Sequence, residues 1–381
     1  MIYQPEMLMI GSAGRNSGKT LLACRLIEKY TPGGKITGLK VTTVKHTAEQ
    51  CPHGQSGCSL CAEFEGNFSI VEQAAGADTA KDTGRMLAAG ADRVFWLRTR
   101  VGYLAQCYEA LRKMIDPEAS IICESSSLRQ VVEPGVFLAT MPAGEPGNIK
   151  PSLKKALCHV DRLLYPGSNG PDIDLDDITL LDRQWHLRLP AAGIILAGGK
   201  SRRMGKDKSQ LPVRGKPLIE HVYNQLKPLF GQILISSGLP GQHCINGALT
   251  VPDKFPGAGP VMGIMSCLEA SACQLNFVAA CDIPGIDYRL IRMMYNQAGD
   301  YDAVIPRWGE AEYEPLFGFY RKSLCGPFRL FIDSGGRKVR EALAPHRVKY
   351  IRIENERRLR NLNTPKDYAE FINAVRLGPA H

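Results

Sequence analysis

Two adjacent glycines, Gly198 and Gly199, follow the apolar run Gly193-Ile194-Ile195-Leu196, and five cations crowd the next nine residues: Lys200, Arg202, Arg203, Lys206 and Lys208. The apolar run predicts a buried strand. Paired glycines free the backbone for positive φ and for close approach to a ligand, and successive loop amides can then point at an anion or a base edge. Strand, glycine loop and cation cluster together predict a site for a nucleoside triphosphate. The loop is not a Walker A, because the full G-x-x-x-x-G-K-[ST] pattern is not matched there.

Downstream come Asp253, the glycine-rich stretch Gly257-Ala258-Gly259-Pro260-Val261-Met262-Gly263, and the apolar strand Phe277-Val278-Ala279-Ala280-Cys281 ending in Asp282. Glu314-Pro315-Leu316 and Asn361-Leu362-Asn363-Thr364-Pro365 follow. In this order the segments resemble the molybdopterin nucleotidylyltransferases, whose signature LAGGxSxRMGxDK is matched over Leu196–Lys208 at every fixed position. Gly198 stands where CTP-using relatives carry alanine, so the resemblance points to the MobA-like guanylyltransferase branch. It covers roughly residues 190–375.

The resemblance implies transfer of GMP from GTP to the terminal phosphate of molybdopterin or Mo-molybdopterin, with release of pyrophosphate. The nucleophile is already anionic, so positioning and charge neutralisation carry the catalysis. By resemblance, Leu196, Ala197, Gly198 and Gly199 cradle guanine and phosphates, Lys208 and Arg203 neutralise the triphosphate, and Asp282 holds Mg²⁺, a cation that favours hard oxygen ligands. Asp253 corresponds to a nucleotide contact, and Ser236 stands where the family has a nucleotide-contacting Asn. Arg337, Lys338 and Arg340 form a second basic group, read either as a receptor for the pterin phosphate or as the exposed cations of a helix start.

A second glycine loop opens the chain. The strand Met7-Leu8-Met9-Ile10 precedes Gly11-Ser12-Ala13-Gly14-Arg15-Asn16-Ser17-Gly18-Lys19-Thr20, and a helically spaced apolar run follows. Strand, Gly-Lys-Thr and helix are the context of a P-loop, although Ala13 replaces its first glycine. Gly14 and Gly18 shape such a loop, Lys19 reaches β/γ oxygens and Thr20 ligates Mg²⁺. Together with Lys45-His46, Lys81-Asp82-Thr83 and the strand Ile121-Ile122-Cys123 ending in Glu124, it resembles the MobB-like partner proteins over residues 5–165. Those bind GTP and assist the guanylyltransferase, and Glu124 takes a Walker-B-like place. Glu124-Ser125-Ser126-Ser127 departs from the family's Glu-Gly.

An insert over about 47–66 carries Cys51, His53, Cys58 and Cys61. Thiolates in a C-x-x-C pair suit zinc or an iron–sulfur cluster. Three cysteines are one short of a complete set, leaving His53, His46 or a second chain in a homodimer as the source of the fourth ligand; free surface thiols are the alternative. The other nine cysteines of the twelve are expected to be small buried hydrophobes.

A chain of 381 residues suggests two or three domains. Its 44% hydrophobic and 22% charged content are those of a soluble globular protein. There is no apolar run of membrane-spanning length and no signal-peptide pattern at Met1–Glu6, so the expectation is a cytoplasmic protein that binds neither membrane nor nucleic acid. The net charge of +9 gathers at glycine loops rather than among aromatics, which favours anionic small molecules as partners; molybdoenzyme apoproteins or their chaperones would receive the product.

Alternating strands and helix-length segments predict an α/β chain with two doubly wound, mostly parallel sheets: a P-loop NTPase-like domain over 1–168, a linker over 169–189, and a Rossmann-like nucleotidyltransferase domain over 190–381. Two rival readings stand beside this one: a nucleotidylyltransferase with a cytidylyl or sugar-phosphate product, and a regulatory protein that senses nucleotide or redox state.

Overall fold

The computed structural model describes residues 1–14, 17–44, 66–74, 76–142, 149–167, 170–198, 207–238, 243–255, 257–310, 312–354 and 359–377. The chain divides into two compact units, Met1–Leu187 and Arg188–His381, each built on a seven-stranded sheet.

The first unit runs β1 (Ile2–Ser12), α1 (Lys19–Tyr30), β2 (Ile36–Val44), β3 (Phe68–Glu72), α2 (Asp82–Ala88), β4 (Arg93–Arg100), α3 (Leu104–Arg112), β5 (Ser120–Glu124), β6 (Val132–Thr140), α4 (Pro151–Lys154) and β7 (Arg162–Leu164). Its sheet order is β3-β4-β2-β5-β1-β6-β7. All neighbours are parallel except the edge pair β3–β4. Burial on both faces explains why the middle of β1 is a continuous apolar run. Successive side chains leave opposite faces: Met7 and Met9 pack with Tyr108 and Phe137, whereas Leu8 and Ile10 pack with Leu22 and Leu26 of α1.

Residues 170–187 are not a linker. The two-residue strands β8 (Pro166–Gly167) and β9 (Gly170–Pro171) pair, and a hairpin of β10 (Ile178–Leu181) and β11 (Gln184–Leu187) follows. Its tight turn places Asp182 and Arg183 at positive φ, as the twist of a two-residue hairpin requires. Trp185 is buried in the α1-side core, edge-on to Tyr30 with ring centroids 4.9 Å apart. Asp176 and Asp177, in the acidic–apolar run Asp172-Ile173-Asp174-Leu175-Asp176-Asp177, pair with Lys29 and Arg162 at 2.7 and 2.6 Å. The boundary therefore lies at Leu187/Arg188 rather than at 168, because these residues find their apolar and ionic partners in elements far earlier in the chain.

The second unit runs β12 (Leu189–Leu196), the short pair β13 (Pro212–Val213) and β14 (Lys216–Pro217), α5 (Leu218–Leu226), β15 (Phe230–Ser237), β16 (Leu249–Pro252), α6 (Pro260–Ala270), β17 (Leu275–Ala280), α7 (Tyr288–Asn296), β18 (Ala303–Arg307), β19 (Phe317–Arg321), α8 (Cys325–Asp333), α9 (Val339–Leu343), β20 (Val348–Arg352) and α10 (Pro365–Leu377). The sheet order is β16-β15-β12-β17-β19-β18-β20, with β19 antiparallel to both neighbours. Chain connections leave β12 toward β15 on one side and toward β17 on the other. That reversal opens a crevice at the carboxyl end of β12, where open α/β sheets bind ligands.

Of the nine cysteines outside the insert, Cys24, Cys107, Cys123, Cys267 and Cys281 are buried. Cys158 and Cys244 are exposed, and Cys273 and Cys325 are half-buried. The expectation of uniform burial fails for these four: Cys158 lies in a 3-10 turn, Cys244 and Cys273 in loops, and Cys325 opens α8. Among the described residues no helix is long and apolar enough to cross a membrane.

Candidate active site

In the second unit, parallel register sets Leu196 beside Ser236 on β15 and Ala280 on β17, so three strands deliver their carboxyl ends to one place. Backbone bonds tie the exits together: Ala197 N–H donates to Ser236 O at 3.1 Å and Cys281 N–H to Leu196 O at 3.0 Å. Ser236 Oγ donates to Asp253 Oδ1 at 3.0 Å, and Asp253 N–H to Ser237 O at 2.9 Å. Burial raises the Asp253 carboxyl above its ordinary pKa, and the Ser236 bond opposes the rise. A Cβ placed on Gly198 would lie 3.7 Å from Gly238 N and 3.9 Å from Asp253 Oδ2, an ordinary contact distance. Among the described residues, packing does not demand glycine at this position.

Asp282 lies just beyond β17. Its Oδ2 accepts from Lys208 Nζ at 2.9 Å, and the same ammonium donates to Asn363 Oδ1 at 3.2 Å. Lys208 is presented by a 3-10 turn, Lys208–Gln210, capped by Asp207 through Ser209 N–H at 3.0 Å. The segment holding Asn363 is anchored by Leu362 N–H donating to Asp282 O at 2.8 Å. Behind it, Glu314 accepts from Leu316 N–H at 2.9 Å and Asn361 Nδ2 at 3.2 Å. Lys208, Asp282, Ser236 and Asp253 are thus all at the crevice, joined by Asn363 and Glu314, to which sequence reasoning attached no role. Their signal was present in the Glu314-Pro315-Leu316 and Asn361–Pro365 segments, but nothing in the spacing says that Asn363 shares the ammonium of Lys208. Gly199 and Arg203 lie outside the described residues.

The oxygen acceptors around Lys208, a carboxylate and an amide carbonyl, form a donor set suited to a hard cation. Among the described residues no group of three or more His, Cys, Asp or Glu gathers. Mg²⁺ keeps its waters and is bound through one or two carboxylates together with substrate phosphates, and Asp282 is a carboxylate of that kind.

Two measurements follow from this packing. Burial raises the Glu314 carboxyl, with the Asp282 charge adding to it and the bonds from Leu316 and Asn361 opposing. A raised carboxyl contributes stability below its unfolded pKa, about 4.3, and loses it as pH rises through the folded value. Glu314→Gln should therefore gain in melting temperature relative to the wild-type chain at pH 7.5, with the gain shrinking toward pH 4; a gap independent of pH would refute the ionised burial. Separately, a Cβ on Gly263 of α6 would fall 2.3 Å from Ser236 Oγ. Gly263→Ala should displace Ser236 from Asp253 and raise the nucleotide KM roughly tenfold with little change in kcat, checked by steady-state kinetics.

Of the second basic group, Arg337 donates to Gly257 O at 3.1 Å, Arg340 stacks on the Tyr313 ring at 4.2 Å, and Lys338 pairs with Glu341 at 2.9 Å. Arg337 thereby ties the start of α9 to the glycine-rich stretch before α6.

The first unit has its own cavity, about 850 Å³, at the carboxyl end of β1, lined by Gly18, Lys19, Thr20, Lys40, Asp82 and Glu124 among others. Gly18 precedes α1 with φ 79°, and a Cβ there would meet Pro171 Cδ at 2.9 Å. Gly14, by contrast, has no contact within 4 Å of a Cβ among the described residues. Lys19 Nζ donates to Ser12 Oγ at 2.8 Å, and Thr20 Oγ1 to Asp82 Oδ1 at 3.0 Å. Lys40, on β2, forms an ion pair with the other oxygen of Asp82; it was not singled out in the sequence. Burial lowers the ammonium pKa of both Lys19 and Lys40, against the pull of the Glu124 charge.

Glu124 is 3% exposed, and its Oε1 has no hydrogen-bond partner among the described residues. The serines that replace the expected glycine brace this loop: Ser126 Oγ accepts from Ser12 N–H at 3.0 Å, and Thr43 Oγ1 donates to Ser127 Oγ at 2.7 Å. Lys45, His46, Cys51, His53, Cys58 and Cys61 lie outside the described residues.

A glycine-lined strand exit at the switch point of a mixed sheet, facing a lysine–carboxylate pair, defines the second unit as a nucleotidyltransferase. Residues 193–348 match the MobA-like NTP transferase domain. The chain is 37% identical over 186 residues to a protein of Pelotomaculum thermopropionicum named "Probable molybdenum cofactor guanylyltransferase", covering 47% of this chain and 90% of that one. It is 30% identical over 189 residues to the molybdenum cofactor guanylyltransferase of Syntrophotalea carbinolica, with 47% and 90% covered. The chain belongs to the molybdenum cofactor guanylyltransferase family. Among solved structures, molybdopterin-guanine dinucleotide biosynthesis protein A from Archaeoglobus fulgidus matches with a TM-score of 0.42 and 26% identity, covering 48% of this chain and 97% of that one.

Proposed function

We propose that the second unit transfers GMP from GTP to the terminal phosphate of molybdopterin, releasing pyrophosphate, and that the first unit is a P-loop domain that binds a second nucleotide. The bond between the acceptor phosphate oxygen and the α-phosphorus forms while the α–β bridge breaks, and the electron pair leaves with pyrophosphate. No general base is needed, because the attacking oxygen carries its charge already. Lys208 neutralises the polyphosphate, and the Ser236–Asp253 pair beside Gly198 faces base or ribose. Asp282 would hold Mg²⁺, which neutralises phosphate charge when bound.

The observation that carries this reading is the Lys208–Asp282–Asn363 contact at the mouth of β12, combined with membership in the family. Purified protein should be incubated with Mg²⁺, in situ-generated molybdopterin, and GTP or CTP in turn. Pyrophosphate and a guanine dinucleotide product with GTP alone are expected. Preference for CTP, or turnover only with sugar phosphates, would replace the reading with the corresponding rival.

The cysteine insert belongs to the same proposal as a zinc or iron–sulfur site on Cys51, Cys58 and Cys61. Anaerobically purified protein should then contain metal that is lost on triple substitution by serine.

A further inference from the structure

Two carboxylates line the first unit's cavity among the described residues, Asp82 and Glu124, and their situations are opposite. Asp82 is doubly engaged, accepting from Thr20 and pairing with Lys40. Glu124 is almost fully buried, with one oxygen that has no hydrogen-bond partner among the described residues. Lys40 is the residue between them. It stands opposite Glu124 in the parallel β2–β5 register, so the two side chains leave neighbouring strands on the same face, with the strands about 4.8 Å apart. One ammonium therefore has two carboxylates within its range. It is paired with the more exposed of them, while the buried one is left in a costly condition.

We propose that Lys40 is a counter-ion gate for the divalent cation that accompanies nucleotide in the first unit: its ammonium closes Asp82 and Thr20 to free cation, and it transfers to Glu124 when nucleotide brings the cation in. The inference rests on the P-loop reading of this unit. Thr20 is the hydroxyl that a P-loop offers to Mg²⁺, and it is bound here to the same carboxylate that Lys40 neutralises. A cation arriving at Asp82 would face like-charge repulsion from Lys40 unless the ammonium moved. Glu124 Oε1 is the acceptor ready for it, and the transfer would relieve the buried unpaired oxygen. Lys19 is held away on Ser12, leaving Lys40 as the lysine in contact with the Asp82–Thr20 pair. Arg85 also lines the cavity, one turn beyond Asp82 on α2, and remains unchanged in the variants below.

The test uses the full chain carrying Asp282→Ala, which removes the corresponding carboxylate of the second unit. Free Mn²⁺ is titrated by electron paramagnetic resonance with and without a fluorescent GTP analogue, whose own binding is read by anisotropy. Lys40→Met should tighten Mn²⁺ binding without nucleotide by about tenfold and shrink the nucleotide-induced gain by the same factor, whereas Lys40→Arg should restore the parent behaviour. Glu124→Gln should weaken nucleotide-coupled Mn²⁺ binding when Lys40 is present and have little effect beside Lys40→Met. Unchanged or weaker Mn²⁺ binding in Lys40→Met, or equal Glu124→Gln effects in both backgrounds, overturns the gate and leaves Lys40 a structural ion pair. If Lys19→Ala leaves binding of the GTP analogue unaltered, the P-loop reading itself fails and the gate falls with it.

Discussion

Asp282→Asn is expected to lower kcat for guanylyl transfer on the order of 10³-fold while leaving the protein folded. The substitution keeps side-chain volume and hydrogen-bonding shape but removes the charge. The bond from Leu362 N–H goes to the main-chain oxygen of Asp282, so the anchoring of the Asn361–Asn363 segment survives, and Lys208 keeps Asn363 as a partner. Both members of the Lys208–Asp282 pair retain some solvent access, so losing it should cost little stability. Under the proposed function the charge loss falls instead on catalysis, where the Asp282 carboxylate would support the metal against two polyanions. Saturating GTP with pyrophosphate release measures kcat, and thermal denaturation checks the fold. More than a tenth of wild-type kcat in a folded variant would remove Asp282 from the metal-holding role.

The second large effect concerns stability. Trp185→Ala should destabilise the first unit by about 3–5 kcal/mol, the usual cost of deleting a large buried aromatic. Trp185 is 1% exposed and fills the core beside Tyr30 and α1. Its indole N–H lacks a hydrogen-bond partner among the described residues, which trims the loss, because a costly buried donor leaves with the ring. Two units with separate cores need not melt together, so the measurement is amide exchange resolved by peptide. Protection in β1 and α1 should fall sharply while β12 and β17 stay unchanged. A loss below about 1 kcal/mol would mean that the hairpin merely lies on the unit and that its core closes without it.

Both candidate sites use a lysine to hold a carboxylate where a metal-bearing nucleotide is expected: Lys208 on Asp282 and Lys40 on Asp82. An ammonium is a compact, movable charge on a flexible stem, suited to neutralising a carboxylate and then giving way to phosphate and metal. The two lysines reach their positions differently. Lys208 rides a short turn after the glycine loop, and Lys40 points from the middle of a strand.

That difference explains what could be read in advance. Lys208 falls inside a contiguous signature, so its neighbours in the chain were enough to suggest the role proposed for it. Lys40 sits in Gly38-Leu39-Lys40-Val41, where an alternating strand pattern makes a lysine look like an ordinary solvent-facing residue. Only the pairing of β2 with β5 brings it beside Glu124. Asn363 was legible as part of a segment but not as a partner of Lys208, since the two are joined by tertiary packing alone. The linker expected over 169–189 failed for the same kind of reason. The alternation of Asp with Ile and Leu over 172–177 is placed only once Lys29 and Arg162 supply its partners.

The amino-acid sequence by itself determined the two α/β units, the glycine loops at their first long strands, and the lysine and carboxylate types that chemistry on phosphates requires. These properties are local: strand runs, glycine freedom and cation spacing act within a few residues, so they can be read in order along the chain. The tertiary structure decided which carboxylate each lysine holds, which acid is buried without a partner, and where the first unit ends. Those outcomes depend on strand order and on burial, and no local pattern encodes a contact between residues that only the folded sheet makes neighbours.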